Sequence, residues 1–124
     1  MLSEADLQQL ESTLLPALER HHLRLLAHSL RCLQQAGGGP QAPLPDQTLL
    51  QAWAERQPNL AVDPSFIPVL VEQLARSALQ LQAIAAGCGK QPLALEISDL
   101  VRWGQAEADA RIAGLNQPAP PPRS

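Results

Sequence analysis

The sequence has no tyrosine, one phenylalanine, Phe66, and two tryptophans, Trp53 and Trp103. A chain so poor in aromatics fills its core with medium aliphatic side chains, so Trp53, Trp103 and Phe66 are the expected packing anchors. Lysine is almost absent as well. Eight of the nine cationic side chains are arginine, the exception is Lys90, and the formal charge is −3, a balance that gives no support to generic binding of nucleic acid or acidic membranes. No apolar run approaches the length of about 18 residues that a membrane-spanning helix needs. Only two cysteines occur, Cys32 and Cys88, far apart and with no framework around them. Together with an N-terminus that lacks the basic-then-apolar pattern of a secretory signal, this leads to the expectation of a soluble, cytoplasmic protein.

What is present is leucine and alanine, which make up most of a 45% apolar share and favour helices over strands. The expected fold is all-α: a compact bundle of four to five helices in one domain over residues 1–115, followed by a proline-rich tail over 116–124 that is expected to be disordered. Ser3-Glu4-Ala5-Asp6 has the form of a capping box, and Leu7, Leu10 and Leu14 follow at helical spacing. Pro16 predicts a kink or restart with Thr13 as cap. From there to Gln35, Leu15, Leu18, Leu25, Leu26, Leu30 and Leu33 fall on one broad arc of the helical wheel.

Residues 36–45 (AGGGPQAPLP) interrupt the helical period and form a loop or hinge. Asp46 caps a short helix carrying Leu49, Leu50 and Trp53, which Pro58 ends. Ser65 is the expected cap of a long helix with the stripe Ile67, Leu70, Val71, Leu74, Ala78, Leu81 and Ala85, closed by Gly87. The helices at 14–35 and 66–86 form the spine of the expected bundle. Leu93, Leu95 and Ile97 alternate like a short strand while Pro92 suits a helix start, and an extended connection is the favoured reading. Ser98 then caps a last helix that turns Leu100, Val101, Trp103, Ala108, Ile112 and Leu115 to the core and ends near Gly114.

All three histidines lie in the 14–35 helix. At about 100° per residue, His22 falls inside the leucine arc, where it reads as a core or boundary residue with Glu19 one turn before it. His21 and His28 share the opposite face with Arg20, Arg24 and Arg31. That face is either a solvated surface or a site for an acidic partner or phosphate. His28 and Cys32 stand one turn apart, a spacing that metal sites use, but two ligands make no site and neither a Cys-x-x-Cys pair nor a second histidine cluster completes one. Gly87-Cys88-Gly89-Lys90 fails as a phosphate loop, because Ile84 stands where the first glycine belongs and Gln91 where Ser or Thr belongs. No catalytic, cofactor or metal residue emerges.

From Asp46 to about Ile112 the rhythm of short helix, loop, long helix, short extended segment and final helix resembles a histone-fold module. Leu95-Glu96-Ile97-Ser98-Asp99-Leu100 is similar to the segment that leads into that fold's last helix. Without a histone's load of lysine and arginine, the resemblance implies a dimerisation module.

The leading functional expectation is a non-enzymatic interaction protein, an adaptor, assembly factor or regulator, that binds a protein partner or itself through helix surfaces. Leu23, Leu79 and Ile84 fall off the main stripes and either close the core from a second side or seed such a surface. Nucleic-acid association through Arg20, His21, Arg24, His28 and Arg31 is the second reading. A ligand-binding or catalytic bundle with a pocket near Trp53 and Trp103 is the third.

Overall fold

The computed structural model describes residues 2–57 and 65–116, with side chains up to Ala113. Pro58, the 59–64 connection and the 117–124 part of the tail fall outside the described residues, as does the side chain of Leu115. Among the described residues five α-helices follow in order: α1 Glu4–Glu11, α2 Ala17–Gly37, α3 Gln47–Glu55, α4 Phe66–Cys88 and α5 Ile97–Asn116, with a 3-10 turn at Pro92–Ala94 before the last. No strand occurs among the described residues.

Local chemistry sets most of these boundaries. Ser3 Oγ accepts the Asp6 N–H and the Asp6 carboxylate accepts the Ser3 N–H, so the capping box at α1 is complete. Asp46 caps α3 through the Leu49 N–H at 2.8 Å. Two caps differ from expectation. Pro16, not Thr13, is the N-cap of α2, and the Thr13 hydroxyl instead donates to the Leu10 carbonyl at the end of α1. At the end of α4 the left-handed residue is Gly89 (φ 68°), two positions beyond Gly87, because the helix holds its period through Cys88.

The opening of α5 also differs. Asp99 reaches back to the Glu96 N–H at 2.8 Å, and Glu96 accepts the Asp99 and Leu100 N–H groups, so the cap is built on Glu96 and Asp99 in place of Ser98. The expected extended connection before it is a 3-10 turn followed by extended backbone at Leu95. Leu93, Leu95 and Ile97 are all buried along it. Gln34, buried on α2, donates to the Leu93 carbonyl at 2.8 Å and ties this turn to the bundle.

Helix α2 packs against all four other helices and is the centre of the bundle; its most extensive partner is α4. The side chains it buries are Leu23, Leu26, Ala27, Leu30 and Leu33, at the i, i+3, i+4 spacing of one face. Leu18 and Leu25, expected in that core, are 81% and 42% exposed. They lie on one stripe with Ser29, Cys32 and Ala36, at separations of 7, 4, 3 and 4 residues, and those three, in its C-terminal half, are buried. The reason is length. Helix α3 returns from the C-terminal end of α2 and packs on it, but its nine residues span about 13 Å against about 31 Å for α2. The N-terminal half of the stripe is left uncovered.

Trp53 is buried as expected and Trp103 is half-buried, but Phe66 is 57% exposed and anchors nothing. Helix α5 lies mainly on α2, where Gly104 meets Leu23. That placement departs from a self-contained histone-like module of α3 to α5, since the last helix is seated on an element outside it.

Candidate interaction surface

Where arginines gather on α2, acids from α1 meet them. Arg31 donates from Nε and Nη2 to the two carboxylate oxygens of Asp6 at 3.0 and 2.9 Å, and its remaining Nη1 donates to Gln34. Arg24 and, at 3.8 Å, Arg20 pair with Glu11. The bond from Arg31 holds the Asp6 carboxyl below its ordinary range, overcoming the opposing push of partial burial. The predicted cationic face is thus the seat of α1, where three guanidinium groups meet two carboxylates. The pairs leave less free positive charge on this face than three unpaired arginines would carry.

The histidines of α2 divide differently from expectation. His22 is exposed, not part of the core arc, and its ring lies 6.1 Å from that of Trp103 with Nε2 3.3 Å from Gln80 Nε2. Glu19 does not hold it, being paired with Arg111 at 2.7 Å. His21 is exposed, whereas His28 is half-buried with Nε2 3.6 Å from Cys32 Sγ. Burial pushes the His28 imidazole down from its usual pKa and the Cys32 thiol up. Cys88 is exposed on the rim of a different cleft, and the described residues contain no group of three or more His, Cys, Asp or Glu able to hold a metal ion.

That cleft, about 440 Å³, lies between the end of α4 and the start of α5 and is lined by Ile84, Gly87, Cys88, Lys90, Asp99, Arg102 and Trp103. At its base Asp99 is 1% exposed and accepts from Lys90 Nζ at 2.7 Å and from Arg102 Nη2 at 2.5 Å. Burial raises the Asp99 pKa, but the bonds from Lys90, the Glu96 N–H and Arg102 outweigh it and hold the carboxyl below its ordinary range. Glu96 stands 4.0 Å from Lys90, so two cations face two carboxylates and the cluster is electrically closed. It clasps the α4–α5 connection. Trp53 is in the core and lines none of the described cavities, so the two tryptophans do not share a pocket.

Two of the three leucine-type candidates for a partner surface are core side chains. Leu23 is 1% exposed, wedged against Gly104, and Ile84 is 4% exposed, because α5 and the 92–97 segment close over them; only Leu79, at 70%, faces outward. Another open apolar surface lies where the α1–α2 corner meets the second half of α5. Leu14 is 98% exposed there, and Ile112, expected in the core, is 54% exposed. Between them run two adjoining hollows of about 380 and 270 Å³ that share Pro16, Ala108 and Ile112. Leu15, Gln105 and Asp109 complete the first, Glu19 and Arg111 the second. Nothing in the helical period marks Leu14 as exposed; the signal available in the sequence was Pro16, which turns the chain and takes Leu14 off both helices.

A protein-family model described as NDH complex assembly factor CRR9 matches residues 2–111. The chain belongs to this family. The match runs from α1 into the last turns of α5, so the corner, the arginine seat of α1 and nearly all of the groove are features of the CRR9-matched region. An assembly-factor family accords with action through protein contacts. No curated protein and no solved structure matches the chain.

Proposed function

We propose that the chain acts in building an NDH complex as a non-enzymatic factor, and that it holds a protein component of that complex in the groove between the α1–α2 corner and α5. Family membership supports the process, and one observation carries the surface: Leu14 and Ile112 stand exposed on either side of continuous hollows floored by Leu15, Pro16 and Ala108. A leucine at 98% exposure contributes nothing to the core, and beside hollows that combine apolar and charged side chains it suits a docking surface. The closed charge clusters at Asp6 and Asp99 leave the other polar features with structural work to do.

The test replaces both rim residues, Leu14→Asp and Ile112→Asp, in the native host. The double variant is expected to fold with an unchanged helical spectrum and to lose co-purification with NDH complex subunits, with less assembled complex on native gels. Normal assembly with this variant would refute the proposed surface.

A further inference from the structure

We infer that the segment received by this groove is an amphipathic helix whose apolar stripe is flanked by basic side chains. The inference rests on the docking reading above and adds the partner's chemistry. Four common modes of peptide recognition can be compared with the site. Strand addition needs a sheet edge, and the described residues contain no strand. Polyproline recognition needs an aromatic-lined groove, and none of the lining residues is aromatic. Recognition of phosphate needs a cluster of free arginines, yet Arg111 alone lines the hollows and it is held by Glu19. Helix-in-groove docking remains, and two adjoining hollows suit two apolar side chains one turn apart on a helix.

The charge follows from which carboxylates are spoken for. Asp109 lines the groove, is exposed and has no ion pair among the described residues. The groove lining therefore carries two carboxylates, Glu19 and Asp109, against one guanidinium, Arg111, which Glu19 already holds. It favours a basic partner and disfavours a second copy of a chain whose formal charge is −3.

Fluorescence anisotropy of the full chain tests this with three labelled peptides about 18 residues long, sharing one leucine stripe and flanked by Lys, Gln or Glu. The Lys peptide is expected to bind about tenfold more tightly than the Glu peptide, with Gln between, and the difference to collapse between about 50 and 500 mM salt. Asp109→Lys is expected to reverse the order. Equal binding of all three, an order that Asp109→Lys leaves intact, or no binding overturns the basic-helix inference. The groove reading is judged separately: if the Lys peptide binds but Leu14→Asp with Ile112→Asp leaves its affinity unchanged, the groove itself is wrong. Light scattering that shows a dimer broken by Leu14→Asp would assign the groove to a second copy and overturn the inference.

Discussion

Helices α2 and α5 pack tightly where Gly104 faces Leu23, and replacing Gly104 by alanine tests whether that contact holds the bundle as described. An added Cβ would sit 2.8 Å from Leu23 Cδ1, 2.9 Å from Cδ2 and 3.2 Å from Cγ. Leu23 is 1% exposed, and beside Gly104 it borders only a hollow of about 40 Å³, so its isobutyl group has little room into which to swing. Overpacking of this kind costs about 1–3 kcal/mol, while alanine in place of glycine inside a helix returns about 0.5–1 kcal/mol. The expected net destabilisation is about 1–2 kcal/mol, read as a lower urea midpoint and a fall of roughly 4 °C in Tm per kcal/mol.

The informative measurement is the cycle with Leu23→Ala. That change alone should cost about 2–5 kcal/mol by opening a cavity. With the leucine gone the alanine methyl no longer clashes, so Gly104→Ala should become neutral or stabilising. The two changes are therefore expected to couple by about 2 kcal/mol, with the double variant more stable than the sum predicts. Additivity within about 0.5 kcal/mol would show that the two residues do not touch as described and would refute the reasoning.

Acid titration should reveal two separate losses. Burial lowers the His28 pKa, so the unfolded chain takes up a proton first, and stability falls as pH drops below about 6.5; His28→Gln should remove that step from the urea midpoint curve. Asp6 and Asp99 both have lowered folded values, so their contribution is present above the ordinary Asp range near pH 3.9 and is lost below it. Asp6→Asn with Asp99→Asn should flatten this second step, and an unchanged acid profile would exclude both clusters as its source. Arg31→Met should cost about 1–2 kcal/mol and speed amide exchange in Glu4–Glu11 while leaving α4 protected, since the bidentate pair to Asp6 is the main polar tie of α1. Leu14→Asp should leave the urea midpoint within about 0.5 kcal/mol of wild type, because a side chain 98% exposed loses no burial; a larger drop would mean that Leu14 is packed.

Helix identity was legible because its signals are local. Ser3 with Asp6, Asp46, the 36–45 interruption and the stripe of α4 act within a few residues of themselves, and each places an element regardless of what packs on it. The all-α class and the order of the helices followed from them. Even the errors at caps were shifts of a few residues, as between Thr13 and Pro16 or Gly87 and Gly89.

Which faces are covered was a different matter. Periodicity put Leu18 and Leu25 with Leu26 and Leu30, but it carries no record of α3 being too short to reach them. Leu23 and Ile84 read as surplus leucine-type residues until α5 and the 92–97 segment were seen to close over them. The arginine face of α2 looked open because its partners, Asp6 and Glu11, stand 25 and 13 residues away from Arg31 and Arg24 on another helix. The sequence by itself therefore determined where the chain is helical, since hydrogen bonding and capping are settled within a turn. The tertiary structure alone decided which of the many leucines are core and which are free to meet a partner, since burial is a property of pairs of helices and is set by their lengths and crossings.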